Sequence, residues 1–255
     1  MRIGICNWAF EGKEEILFFE MRKNYLSYLQ IEITDQQLSG NFRQRLVHMI
    51  ENYQKNDLHV LSISAAFANE TGIWEAENSA RAFTHIQEMI LLASQYHIYE
   101  VMIPFFDKNR IKNYKELEKG VEFLKKACQF AHKHQCRISI ENDLSAQKNW
   151  SLMQEVDEKN LFYLMDIYNI QLNRLELKDY LFAYPIPLSN IIHLKNGNKA
   201  AGMGSKQITA VQMKLLKDIP YWNTHTFLLE NEYAVFEYLS LEKDILLMKK
   251  HLQYE

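Results

Sequence analysis

The chain is poor in the residues that break, staple or anchor a polypeptide. Its three cysteines, Cys6, Cys128 and Cys136, are an odd number with no CxxC spacing. That excludes a disulfide framework and reads as reduced, mostly packed thiols of a cytoplasmic protein. Four prolines and eight glycines leave no linker rich in Pro, Gly or Ser, so residues 1–255 read as one domain. No apolar stretch approaches the roughly 18 residues of a membrane helix. Met1 runs almost directly into a strand-like segment, which leaves no room for a signal peptide. No charge of one sign dominates. A net charge of −3 is no general attraction for nucleic acid or an anionic membrane.

What is present is the material of a globular α/β protein. Hydrophobic residues make up 47% and charged residues 24%, enough to bury a sizeable core without staples. Strand-like runs recur: Arg2 to Cys6, Leu29 to Ile33, Leu58 to Ile63 and Tyr99 to Pro104. Four more follow: Ile138–Glu141, Phe162–Asp166, Ile191–Leu194 and Phe227–Glu230. Between them lie stretches with apolar residues near helical period, over 76–96, 114–134, 152–156 and 208–216. Several strands are apolar on both faces, as parallel strands covered by helices must be. Eight such units predict a (β/α)8 TIM barrel. The rival, an open doubly wound sheet, usually shows a GxGxxG first turn, and Gly4-Ile5-Cys6-Asn7 is not one.

The last four runs each end at, or enclose, one metal-capable side chain: Glu141, Asp166, His193 and Glu230. Carboxylates rarely enter such apolar surroundings unless they are paired or bound to metal. In a barrel the strand ends converge on one mouth, so strands five to eight would deliver all four to one place. Three carboxylates and one imidazole favour Mn²⁺ or Mg²⁺, with Co²⁺ or Zn²⁺ possible. Such a site suits proton transfer next to a carbonyl through an enediolate. Glu141 and Glu230, at the two ends of the arc, are the candidate acid/base pair. Singly, each of the four has a blander reading as a salt-bridge partner, a cap or a satisfied core residue. Their succession on consecutive strands is what argues for a site.

The pieces in order resemble the xylose isomerase-like TIM-barrel superfamily, in particular its sugar phosphate isomerase/epimerase branch. Ile31-Glu32-Ile33, Ile138-Ser139-Ile140-Glu141-Asn142 and Leu164-Met165-Asp166 carry the resemblance, with Ile192-His193-Leu194-Lys195-Asn196 and Leu229-Glu230. It implies one divalent metal on Glu141, Asp166, His193 and Glu230, with the two glutamates in acid/base roles. The chain departs from the family at Asn169, where a His is common, and at Asn196, where an Asp is usual.

Asn7, Trp8 and Phe67 follow strands one and three and read as pocket walls for a sugar, with Asn169 and Lys195 as further substrate contacts. Phe105 and Phe106 either line the mouth or pack under it, and Glu32 lines the mouth or braces a neighbour. Three glycines, Gly197, Gly202 and Gly204, and the lysines Lys195, Lys199 and Lys206 gather in the loop after strand seven, where barrels often hold phosphate. The expected activity is therefore a metal-dependent sugar or sugar-phosphate isomerase or epimerase. A sugar-binding barrel that has lost catalysis is the alternative. An abasic-site endonuclease of the same superfamily needs several more histidines at the mouth, and only His193 is well placed. The expected partner is a small sugar or sugar phosphate, not nucleic acid or membrane. A homodimer is the assembly common among such barrels.

Overall fold

In a computed structural model the described residues are 2–197, 206–235 and 240–252. Eight parallel strands close on themselves in chain order: β1 (Arg2–Cys6), β2 (Tyr28–Glu32), β3 (His59–Ser64), β4 (Glu100–Phe105), β5 (Arg137–Asn142), β6 (Leu161–Asp166), β7 (Leu188–Leu194) and β8 (Thr226–Leu229). The predicted TIM barrel is the observed fold. The helices are α1 (Glu14–Lys23), α2 (Asp35–Leu38), α3 (Phe42–Lys55), α4 (Phe67–Thr71) and α5 (Ala76–Gln95), then α6 (Tyr114–Lys133), α7 (Ala146–Val156), α8 (Ile167–Leu172), α9 (Ala210–Lys217) and α10 (Leu241–Leu252). Among the described residues no helix is long and apolar enough to cross a membrane.

Caps explain where the helices begin. α7 starts six residues earlier than apolar spacing predicts, because Ser145 accepts a hydrogen bond from the Lys148 amide. α9 starts later, at Ala210, where Thr209 and Gln212 form a reciprocal capping box.

Side chains alternate across each strand, and this alternation sorts the interior into two cores. The larger fills the space between barrel and helices. The smaller is made of Cys6, Met102, Leu164, Ile191 and Leu228, from β1, β4, β6, β7 and β8. It fills the barrel lumen. Two residues further along, on the same face, come Asp166, His193 and Glu230. Two residues back come Glu100 and Ser189. At mid-height the lumen is therefore apolar on the side of β4, β6, β7 and β8, and it is polar at both ends. All three cysteines are free and buried, as expected.

The closing seam pairs Gly4 with Tyr28 on one side and Leu228 on the other. A Cβ at Gly4 would run into the Tyr28 carbonyl and come within 2.7 Å of Leu228 Cδ2. Only glycine admits so close an approach.

Candidate metal centre

Glu141 is the fifth residue of β5, His193 the sixth of β7, and Glu230 follows β8 directly. One ligand atom from each lies within 4.8 Å of the others, and no other metal-capable group of this kind occurs among the described residues. His193 is fully buried, with Nδ1 3.4 Å from Glu141 Oε2 and 3.4 Å from Glu230 Oε2. That nitrogen has no hydrogen-bond partner. The other, Nε2, lies 2.6 Å from Gln30 Oε1. Because a carbonyl oxygen only accepts, Nε2 carries the proton. In the neutral ring, Nδ1 then aims a lone pair between two carboxylates. Three electron-rich atoms facing one point favour a proton or a cation there. Burial disfavours the imidazolium, but Cys6, Glu230 and Glu141 outweigh it and hold His193 well above its ordinary pKa. The same field that attracts a proton would attract a metal ion. Two carboxylates and an imidazole are a fitting donor set for a divalent cation.

Asp166 stands beside this trio. Its Oδ1 caps α8, accepting from the amides of Tyr168 at 2.8 Å and Asn169 at 3.2 Å. Its Oδ2 lies 2.7 Å from Lys195 Nζ, which also lies 2.9 Å from Glu230 Oε2. Burial disfavours the lysine's charge, yet Asp166, Glu230 and Glu141 overcome it and keep Lys195 protonated. Burial raises the Asp166 carboxyl, and Lys195 opposes the rise. The structure thus brings Glu141, His193 and Glu230 together and places Asp166 with Lys195.

The remaining contacts fix the glutamates. Asn169 donates to Glu141 Oε1 at 2.9 Å, and Trp8 Nε1 donates to Glu230 Oε1 at 3.2 Å. Asn169, standing where a histidine is common, therefore serves as a donor. Behind Glu230, the buried Asn231 accepts from the Asn196 amide at 2.9 Å and donates to Asp244 at 3.0 Å. This ties the ends of β7 and β8 to α10.

A cavity of about 340 Å³ opens above these groups. Trp8, Asn169 and Lys195 line it as expected, joined by Glu32, Met102 and Phe106. Burial, then Glu230 and Glu70, push the Glu32 carboxyl up to about 7. Two expected pocket residues, Phe67 and Asn7, lie elsewhere. Phe67 is 1% exposed and packs edge-on against His85, because the first turn of α4 carries it down into the helix-side core. Phe105 is likewise fully buried. Asn7 accepts from the Glu32 amide at 2.9 Å, so it braces the end of β2 and does not line the cavity. Lys199, Gly202, Met203 and Gly204 lie outside the described residues. The other described histidines lie in helices, in the turns after them or at strand starts, such as His48 in α3, His97 after α5 and His59 at the first residue of β3.

Sequence reading missed Gln30 and Ser62. Gln30 is fully buried in β2, two residues before Glu32. A lone amide inside an apolar run was the available signal.

The model of the xylose isomerase-like TIM barrel family matches residues 15–237. No curated protein matches the chain in sequence. Among solved structures, D-psicose 3-epimerase with D-tagatose from Clostridium cellulolyticum H10 is similar, with a TM-score of 0.69 and 12% identity over 99% of this chain and 97% of that one. The IOLI protein with a binding zinc atom has a TM-score of 0.70 and 12% identity, covering 99% and 96%. A xylose isomerase-like TIM barrel protein from Mycobacterium smegmatis in complex with magnesium has a TM-score of 0.67 and 15% identity, covering 99% and 95%. At these identities the likeness is one of fold. With the family match spanning most of its length, this chain belongs to the xylose isomerase-like TIM barrel family.

Proposed function

We propose that the chain is a divalent-metal-dependent isomerase or epimerase of a small sugar. The observation that carries this reading is the partnerless, buried Nδ1 of His193 facing Glu141 and Glu230. The ion would be held by those three, with Asp166 as a fourth ligand that exchanges Lys195 for it. Mn²⁺ or Mg²⁺ suits the oxygen-rich set best, and Zn²⁺ or Co²⁺ is compatible. The zinc and magnesium in the two structural neighbours agree with a divalent ion. Such an ion supplies Lewis acidity toward a carbonyl oxygen.

The chain's own residues would do the rest. Glu141 and Glu230 enter the cavity from β5 and from the end of β8, so they flank a bound substrate. Moving a proton between the faces of a carbon needs one base on each side. Asn169 holds one oxygen of Glu141, whereas Trp8 and Lys195 hold the two oxygens of Glu230. The Lys195 ammonium, fixed beside Glu230, would meet negative charge as it develops on a substrate oxygen. Trp8, Met102 and Phe106 offer apolar wall, and the carboxylates accept from hydroxyls, a combination suited to a polyol. Both described cations lining the cavity are already paired, Lys195 as above and Arg110 with Asp143 at 3.3 Å. This favours a neutral sugar over a phosphorylated one. The neighbour solved with D-tagatose agrees with that preference.

The test is solvent isotope exchange. Mn²⁺-loaded protein incubated with ketoses and aldoses in D₂O should place deuterium next to the carbonyl and form a second sugar. Failure across a broad panel, with metal bound, ends the reading and leaves a sugar-binding barrel.

A further inference from the structure

His193 can serve a metal only if its ring is turned and protonated one way. Two arrangements of an imidazole fit the same hole, and they present either a lone pair or an N–H to the carboxylates. Something beneath the ring must choose. Two polar side chains from neighbouring strands meet there inside the lumen. Gln30 of β2 and Ser62 of β3 are both fully buried, and Gln30 reaches across to His193 of β7. The Gln30 amide nitrogen donates to Ser62 Oγ at 3.1 Å, and its oxygen faces His193 Nε2 at 2.6 Å. The Cys6 thiol lies 3.9 Å from the same oxygen. On the ring's other flank, Trp8 packs at 5.9 Å between centroids with an interplanar angle of 68°.

The chemistry of this chain is directional. An amide has one donor end and one acceptor end. In the arrangement present the donor end meets Ser62 Oγ and the oxygen faces the histidine. An oxygen there accepts the Nε2–H and sends the lone pair of Nδ1 toward Glu141 and Glu230. Partners of a ligating histidine's second nitrogen typically fix both its tautomer and its ring angle. We propose that Gln30, anchored by Ser62, is a positioning residue for metal binding that sets the tautomer and orientation of His193. This rests on the metal reading above. Gln30 touches neither the ion nor the substrate.

The experiment titrates Mn²⁺ alone into the unsubstituted protein and into Gln30→Met, Gln30→Glu and Ser62→Ala, with thermal unfolding of each metal-free protein alongside. Gln30→Met keeps the volume and removes the acceptor, and should weaken Mn²⁺ binding about 10- to 100-fold. Gln30→Glu restores an acceptor and should recover affinity even though it buries a charge. Ser62→Ala, which frees the amide to rotate, should weaken binding less than Gln30→Met. If Gln30→Met does not fold, the remaining pair still decides, because Gln30→Glu must bind more tightly than Ser62→Ala. A purely structural residue would give the opposite ranking, with the buried charge lowering both the metal-free midpoint and the affinity, and that result overturns the inference. Unchanged affinity in Gln30→Met overturns it too, while the metal reading stands. No Mn²⁺ uptake by the unsubstituted protein overturns both.

Discussion

The two ends of the barrel lumen each bury carboxylate, and they treat it in opposite ways. At the bottom, Glu100 accepts from Ser139 Oγ and Ser189 Oγ, each at 2.8 Å, so both its oxygens have donors. At the mouth, Glu141 and Glu230 converge on a histidine nitrogen that has none. Both sets of carboxylates come from apolar strands. Glu230 too has a donor on each oxygen, Trp8 and Lys195, so what separates the mouth from the bottom is the buried His193 Nδ1 that stands between the two acids without a partner. Incompleteness, more than burial, marks the functional end.

The sharpest way to break this comparison is to alter the mouth. Glu141→Gln or Glu230→Gln should lower turnover of a responsive sugar by about 10²- to 10⁴-fold, the usual range for a lost acid/base group. Isotope exchange at saturating Mn²⁺ measures it, and near-normal turnover in both variants would remove the proposed pair. Next in size is the effect of metal on stability. Mn²⁺ at about a hundred times its Kd should add about 2.7 kcal/mol to the unfolding free energy. The same ion should add almost nothing to His193→Ala, as urea titrations with and without metal would show.

At the bottom the expectation reverses. Glu100→Ala orphans two buried serine hydroxyls and should cost about 2 kcal/mol of stability, while Mn²⁺ affinity stays as it was. An equal loss of affinity would mean that the two ends are coupled and the contrast false. The last expectation concerns pH. The Glu32 carboxyl, at about 7, sits above its ordinary value of 4.5, so the folded state holds that proton more tightly than the unfolded chain. Its contribution is fully present below pH 4.5 and is lost as pH rises toward 7. Glu32→Gln should therefore flatten the decline of the urea midpoint across that window. A decline of unchanged slope would show that Glu32 is not its source.

Much of this was legible in the residue order. Strand β1 has the predicted limits, and Glu141, His193 and Glu230 announced themselves as polar groups closing apolar runs. Glu100 carried the same signature within Tyr99 to Pro104, yet it stands at the wrong end of its strand and is satisfied by serines far away in sequence. Distinguishing the two cases takes partners, and partners are a property of the closed barrel. Phe67 was misplaced for a related reason. A residue just past a strand can turn to the cavity or to the helices, and a short helix starting at Phe67 itself sends it to the helices. Asn7 and Gln30 act through contacts across the lumen or between neighbouring strands, with sequence separations of 25 and 163 residues. No periodicity encodes those.

One absence of a side chain reaches further than its place in β1 implies. Gly4 lies two residues before Cys6 and four before Trp8, the residues against the floor and flank of the His193 ring. A methyl group at Gly4 would be a wedge driven between the Tyr28 carbonyl and Leu228, at the joint where the first strand meets the last. Widening that joint would lift Trp8 away from Glu230 and loosen the floor under the imidazole. The joint between the first and last strands and the chemistry above it thus hang on one hydrogen atom, and a variant as mild as Gly4→Ala tests both in a single stroke.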